Sequence, residues 1–163
     1  MQIVKSPSAV LNQVSAEVTE ITPRVKKIAK GLMETLKGQR NGVGLAAVQV
    51  GRPIRMFAFD HESIGRGVIL NPVVETSGER TTEPEGCLSQ PGVFYEVPRG
   101  NFAKVTGQNI HGETIEMDVV GFTARILQHE QDHLDGKCIF DRMDMDDPDS
   151  VAHGDKVHDV YRG

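Results

Sequence analysis

The residues His129-Glu130-Gln131-Asp132-His133 carry His-Glu-x-x-His, a spacing with a direct chemical reading. Residues four apart on an α-helix lie on one face, one turn along. His129 and His133 can therefore direct two imidazoles at one metal ion. Glu130 lies about 100° further round the same helix. It reaches a water held by that ion without ligating the ion, as a general base must.

The surrounding residues predict the helix. Phe122, Ile126, His129 and His133 form one helical stripe, and Thr123, Leu127, Glu130 and Leu134 form an adjoining one. Gly136 supplies a left-handed stop. The plainer reading is a pair of core histidines satisfied by hydrogen bonds. Burying two imidazoles beside a glutamate without an ion is costly, which favours the metal site.

Two histidines need a third ligand. No glutamate follows Glu130, as a thermolysin-like site would require, and Ile139 stands where a metzincin places its third histidine. Cys138 falls about half a turn round the helix from His129 and reads as a small buried hydrophobe. The other cysteine, Cys87, sits in Glu85-Gly86-Cys87-Leu88-Ser89, which reads as loop or strand edge.

Three segments together resemble peptide deformylase: Gly42-Val43-Gly44-Leu45-Ala46-Ala47-Val48-Gln49, Glu85-Gly86-Cys87-Leu88-Ser89, and Gln128-His129-Glu130-Gln131-Asp132-His133-Leu134-Asp135-Gly136. They stand in that family's order and at its usual separations. The resemblance is carried from about residue 20 to about 143, and the two ends fit it less well. It implies an α+β fold of mostly antiparallel strands around a central metal-binding helix. It also implies one divalent ion on Cys87 as thiolate and on neutral His129 and His133, with an open position for water. The implied ion is ferrous iron, with zinc, nickel or cobalt as substitutes, and the donor set alone does not choose among them.

The implied reaction is hydrolysis of the N-formyl group from formyl-methionyl nascent peptides, releasing formate. Glu130 takes the proton of the water and returns it to the leaving amine. The Gln49 side-chain amide and the Leu88 backbone N–H stabilise the oxyanion. Val43, Gly44, Glu85 and Gly86 border the substrate. Phe122 and Ile126, within two turns before His129, form an apolar wall for the methionine side chain with Val43 opposite; each is equally readable as plain core. Arg99 reads as a surface arginine, with steering of the peptide as the other reading. Two other classes remain: a His-Glu-x-x-His hydrolase cutting internal peptide bonds, and a non-catalytic metal- or peptide-binding module. The missing downstream ligand argues against the first, and retention of Glu130 and Gln49 against the second.

The chain's 163 residues are enough for one domain with a proper core. There is no secretory signal pattern and no apolar run long enough for a membrane span. Two cysteines, one of them a ligand, leave no disulfide framework, and a free thiolate fits a reducing cytoplasm, bacterial or virus-infected, with an organelle as the alternative. A net charge of −5 argues against broad nucleic-acid binding. A monomer is expected, with at most transient ribosome association.

The elements that must position the site follow from local pattern. Leu11 and Val14 mark one helical turn. Thr22, Pro23 and Gly38 bracket an amphipathic helix with Val25, Ile28, Ala29, Leu32, Met33 and Leu36 in period and a solvated lysine face. Short strands are predicted over 54–60, 67–71, 93–97, 102–106 and 114–119, the last two joined by a turn at His111-Gly112. His61 and His111 read as surface turn residues. The expected catalytic domain is 1–143, followed by an acidic tail over 144–163. Residues 141–163 hold seven Asp against Arg142, Lys156 and Arg162, so an irregular or disordered end is expected.

Overall fold

The computed structural model describes residues 1–142. The expectation for the acidic tail falls on 144–163, outside the described residues. The architecture is α+β: one antiparallel five-stranded sheet in the order β1-β2-β3-β4-β5, with two helices. The strands are β1 (Gly44–Ala46), β2 (Met56–His61), β3 (Gly65–Cys87), β4 (Gln90–Gln108) and β5 (Thr114–Val120). The helices are α1 (Pro23–Lys37) and α2 (Gly121–Leu134).

Alternation along the strands sorts side chains to two faces. Ala46, Phe57, Phe59 and Ile69 pack with Ile126, Leu127 and Leu134 of α2. Their neighbours Leu45, Met56, Ala58 and Leu70 pack with Ile28, Leu32 and Leu36 of α1. The first three strands are thus clamped between a surface helix and a buried one. α1 begins as its sequence requires: Thr22 Oγ1 accepts from the Val25 N–H at 3.2 Å, and Pro23 occupies the first turn.

Three expectations need correction. The strands predicted over 93–97 and 102–106 are parts of one strand, β4, and the strand predicted over 67–71 continues to Cys87 as β3. From Glu75 to Arg80 every residue of β3 is solvent-exposed, so no apolar alternation marks the strand there. Backbone pairing with β4 holds it, interrupted by register shifts at Leu70/Val73, Ser77/Arg80 and Gly86/Cys87. The predicted helical turn at Leu11 is a short 3-10 turn over Ala9–Asn12 that does not reach Val14, which is 70 % exposed. The turn between β4 and β5 forms as predicted, with Asn109 Oδ1 accepting from the backbone N–H groups of His111 and Glu113.

No helix among the described residues is long and apolar enough to cross a membrane.

Candidate metal centre

α2 is buried nearly all round. Of its 14 residues only Gly121, Phe122 and Gln131 escape full burial. Its polar members must therefore be satisfied by partners. Gly136, with φ of 74°, terminates the turn beyond it as the sequence predicts.

His129 and His133 sit one turn apart on α2, with their Nε2 atoms 3.0 Å from each other. Cys87 Sγ lies 3.4 Å from His133 Nε2. The three ligand atoms all fall within 4.8 Å of one another, and all three residues are buried. Two nitrogens each bound at 2.0–2.1 Å to one tetrahedral ion stand roughly 3.3 Å apart, so the constellation has the size of a single coordination sphere. Cys87 arrives as the last residue of β3, one step before a tight hairpin through Leu88-Ser89 into β4.

Glu85 fixes the first imidazole. Its Oε2 accepts from His129 Nδ1 at 2.7 Å, which leaves Nε2 turned to the site. Burial opposes charge on His129, but Glu85 and Cys87 outweigh it and hold the imidazole pKa well above its ordinary value. Burial and the neighbouring His129 push His133 well below it. His133 Nδ1 has no hydrogen-bond partner among the described residues.

Glu130 is fully buried, and neither carboxylate oxygen has a hydrogen-bond partner among the described residues. The Ala46 amide is near enough to favour its charge slightly, yet donates to Gln49 Oε1 at 2.9 Å. Burial dominates and pushes the Glu130 carboxyl up to about 7. That value suits a group exchanging protons near neutrality. Gln49, also fully buried, turns its Nε2 toward Cys87 Sγ at 3.6 Å and donates to Ser89 Oγ at 3.1 Å. The amide donor is therefore at the centre, as the sequence expects, and is oriented by the Ala46 N–H at its other end.

Leu88 is buried beside Cys87, and its carbonyl accepts from Lys5 Nζ at 2.8 Å. Gly44 lies against Glu130, and Gly86 is buried in β3 opposite Phe94. Val43 is half-buried against the α2-side core. Ile126 is fully buried within that core. Phe122 is half-buried, with its ring 5.2 Å from that of His61. His61 is thus a packing partner at the end of β2 rather than a free turn residue, while His111 is exposed as expected. Cys138 is buried, as predicted for a small hydrophobe.

Two residues differ from their sequence reading. Glu85 was expected to border the substrate; it is fully buried, with Oε1 and Oε2 engaged by Arg99, Arg125 and His129. Arg99 was expected at the surface; it is 5 % exposed and grips Glu85 through Nε and Nη2, each at 2.7 Å. Buried Arg125 and Asp132, with the exposed Arg142 at its outer end, belong to the same ion-pair cluster and are not foreseen from the sequence. The available signal was a third stripe on α2, Arg125-Gln128-Asp132, which must also be buried if the helix is central.

The family model for polypeptide deformylase matches residues 1–149. A peptide deformylase of Desulforudis audaxviator is 41 % identical over 142 residues, covering 86 % of this chain and 92 % of that protein. One of Dictyoglomus thermophilum is 41 % identical over 142 residues, covering 86 % and 91 %. The solved Thermotoga maritima peptide deformylase superposes with a TM-score of 0.81 at 38 % identity, over 87 % of this chain and 96 % of that one. The Synechococcus elongatus enzyme, solved in complex with actinonin, gives 0.82 at 31 % identity over 88 % and 78 %. With the motifs, the fold and the Cys-His-His cluster in agreement, this chain belongs to the polypeptide deformylase family.

Proposed function

We propose that Cys87, His129 and His133 hold the ion with which this enzyme removes the N-formyl group from formyl-methionyl peptides, and that Glu130 and Gln49 act beside it. The observation that carries the reading is the convergence of three buried donors at the size of one coordination sphere, next to a buried carboxylate with no hydrogen-bond partner among the described residues. One sulfur and two nitrogens suit a borderline divalent cation, and His133 Nε2 facing His129 Nε2 at 3.0 Å is most simply satisfied by a shared ion. When bound, such an ion acidifies a water and polarises the formyl carbonyl.

The chain's own groups do the rest. Glu130 accepts the proton of the attacking water on a carboxylate oxygen and delivers it to the departing amine nitrogen, while formate leaves with the new C–O bond. Gln49 Nε2 donates to the oxygen that gains charge, without bringing a charge that competes for the ion. The Leu88 backbone N–H is the second donor. Gly44 leaves room for Glu130, and Val43 with Phe122 borders the methionine side chain. Glu85 keeps the His129 ring in its ligating tautomer.

Ferrous iron is the ion we assign in the cell, with zinc, nickel and cobalt as functional substitutes. We assign the enzyme to the cytoplasm as a monomer, with at most transient ribosome association, since the end of the chain is acidic rather than basic. We assign the catalytic domain to residues 1–143.

The test is formate release from a formyl-methionyl tripeptide, set beside cleavage of a blocked casein-like substrate. Cleavage of the casein without formate release would overturn the reading. Full metal occupancy in Cys87→Ala would overturn the ligand assignment, whereas Cys138→Ala is expected to keep its metal.

A further inference from the structure

We propose that Asp132 and Arg142 are positioning residues of the metal centre, acting through Arg99 and Glu85 on the His129 ring. The inference rests on the reading that His129 is a ligand. It concerns groups that touch neither ion nor substrate.

The geometry is a chain of alternating charges. Arg142 grips Asp132 with Nη2 on Oδ1 at 2.8 Å and Nε on Oδ2 at 3.1 Å. Asp132 Oδ2 also accepts from Arg99 Nη1 at 2.9 Å. Arg99 then grips Glu85 with Nε and Nη2, each at 2.7 Å, and Glu85 Oε2 accepts from His129 Nδ1 at 2.7 Å. Every nitrogen of Arg99 is used, so its plane is fixed by carboxylates at both ends. The chain links four parts of the fold: β3, β4, α2 and the 3-10 turn Ile139–Arg142.

Arg99 serves two carboxylates, and Arg142 decides how it divides itself between them. Arg99 and Glu85 side chains are 4 % and 0 % exposed, so solvent cannot substitute for a lost partner there. With Arg142 in place, Asp132 has a cation of its own, and Arg99 can stay square on Glu85. Without it, Asp132 keeps Arg99 as its one cationic partner among the described residues and draws the guanidinium toward itself. The Glu85 carboxylate then loses part of its anchoring, and with it the ring it orients loosens. Arg125 Nη1 also reaches Glu85 Oε1, at the longer distance of 3.3 Å.

The test uses the Co²⁺-loaded protein, comparing wild type with Arg142→Gln, Arg142→Lys and Asp132→Asn. The readouts are the visible absorption bands and the rate of Co²⁺ release to a chelator. Removing groups that orient a ligating histidine typically costs about 10–100-fold in metal affinity or activity, and these lie further out. We therefore expect roughly three- to tenfold faster release for Arg142→Gln, a larger effect for Asp132→Asn, and altered cobalt bands in both. Arg142→Lys should fall between Arg142→Gln and wild type. A melting temperature that falls while bands and release rates stay those of the wild type would show a merely structural clasp and overturn the proposal. Arg142, 41 % exposed at its side chain, is the safer variant and decides the matter if Asp132→Asn fails to fold. Wild-type protein lacking a thiolate-to-cobalt band would instead overturn the metal-site reading itself.

Discussion

Gly44 and Glu130 are packed so closely that a Cβ on Gly44 would stand 2.5 Å from Glu130 Oε1, 2.8 Å from Cδ and 2.9 Å from Cγ. Three atoms of one side chain would be met at once, so Glu130 as a whole would have to move. The glycine is needed here for close approach, since its φ lies outside the left-handed range. Gly44→Ala is therefore expected to keep its metal but lose on the order of 10²-fold in kcat, the usual effect of about 1 Å of misplacement. Metal analysis with steady-state kinetics checks it. A wild-type kcat would mean Glu130 has room to spare.

Direct replacement of the same carboxylate tests its role. Glu130→Gln preserves shape and should retain the metal, while general acid–base help worth about 10²–10⁴-fold disappears. Gln49→Ala removes a donor to the oxyanion, on the order of 10²-fold in rate. It also strips the Ala46 N–H of its partner, so a lower melting temperature should accompany the loss. Near-normal deformylation by either purified variant contradicts its assignment.

The α2 helix was legible because its apolar stripe and its histidines share one period, and period survives burial. The α1 helix was legible from Thr22, Pro23 and Gly38 for the same local reason. What the sequence hid was anything decided by partners far along the chain. Glu85 is 14 residues from Arg99 and 44 from His129, and nothing local says that their side chains meet. Arg99 looked like a surface residue because arginine is seldom buried without partners, and its partners lie on other elements. The outer half of β3 was hidden differently: it is held by backbone pairing with polar side chains on both faces, so no two-residue alternation existed to be read.

The first residues of the chain tie together the two segments that carry Gln49 and Leu88. The Val4 N–H donates to Gln49 O at 2.7 Å, the Ser6 N–H to Ser89 O at 2.9 Å, and Lys5 Nζ to Leu88 O at 2.8 Å. Lys5→Met keeps the backbone bonds and removes the one that fixes the Leu88 carbonyl. A fall in kcat of roughly threefold, with metal content unchanged, is expected from a slightly looser oxyanion donor. An unchanged kcat would show that the two backbone bonds suffice.

Acid stability should report the Glu85–Arg99 pair. Burial alone would raise the Glu85 carboxyl, but Arg99 and then His129 hold it well below the ordinary 4.5. A carboxyl depressed in the folded state contributes stability that is complete above its unfolded value. That stability is lost only as pH falls from there through the folded value. Arg99→Met removes the strongest group opposing burial, so the folded value rises and the loss begins at higher pH. Metal-free protein, followed by circular dichroism during acid titration, should unfold with a midpoint about 0.5–1 pH unit higher in the variant. An unmoved midpoint would mean Glu85 is neutral in the native state.

The boundary of the catalytic domain gives the last prediction. The family match ends at residue 149, and Arg142 is the last described residue with side-chain partners, both oxygens of Asp132. Asp132 lies next to the ligand His133 in sequence and holds Arg99 in space. On the proposal above, the metal centre relies on the chain at least as far as Arg142. Beyond it the sequence is acidic, and we assign it no part in the site. Truncation after Asp149 is expected to leave metal content and turnover of a formyl-methionyl tripeptide within about twofold of the full chain. Truncation after Asp141 removes Arg142 and should speed metal release as Arg142→Gln does, by roughly three- to tenfold. Measuring both truncations side by side locates the boundary. If removal of 150–163 alone cost most of the turnover or many degrees of melting temperature, the acidic segment would have to pack on the domain. The catalytic unit would then extend past the limit at 143.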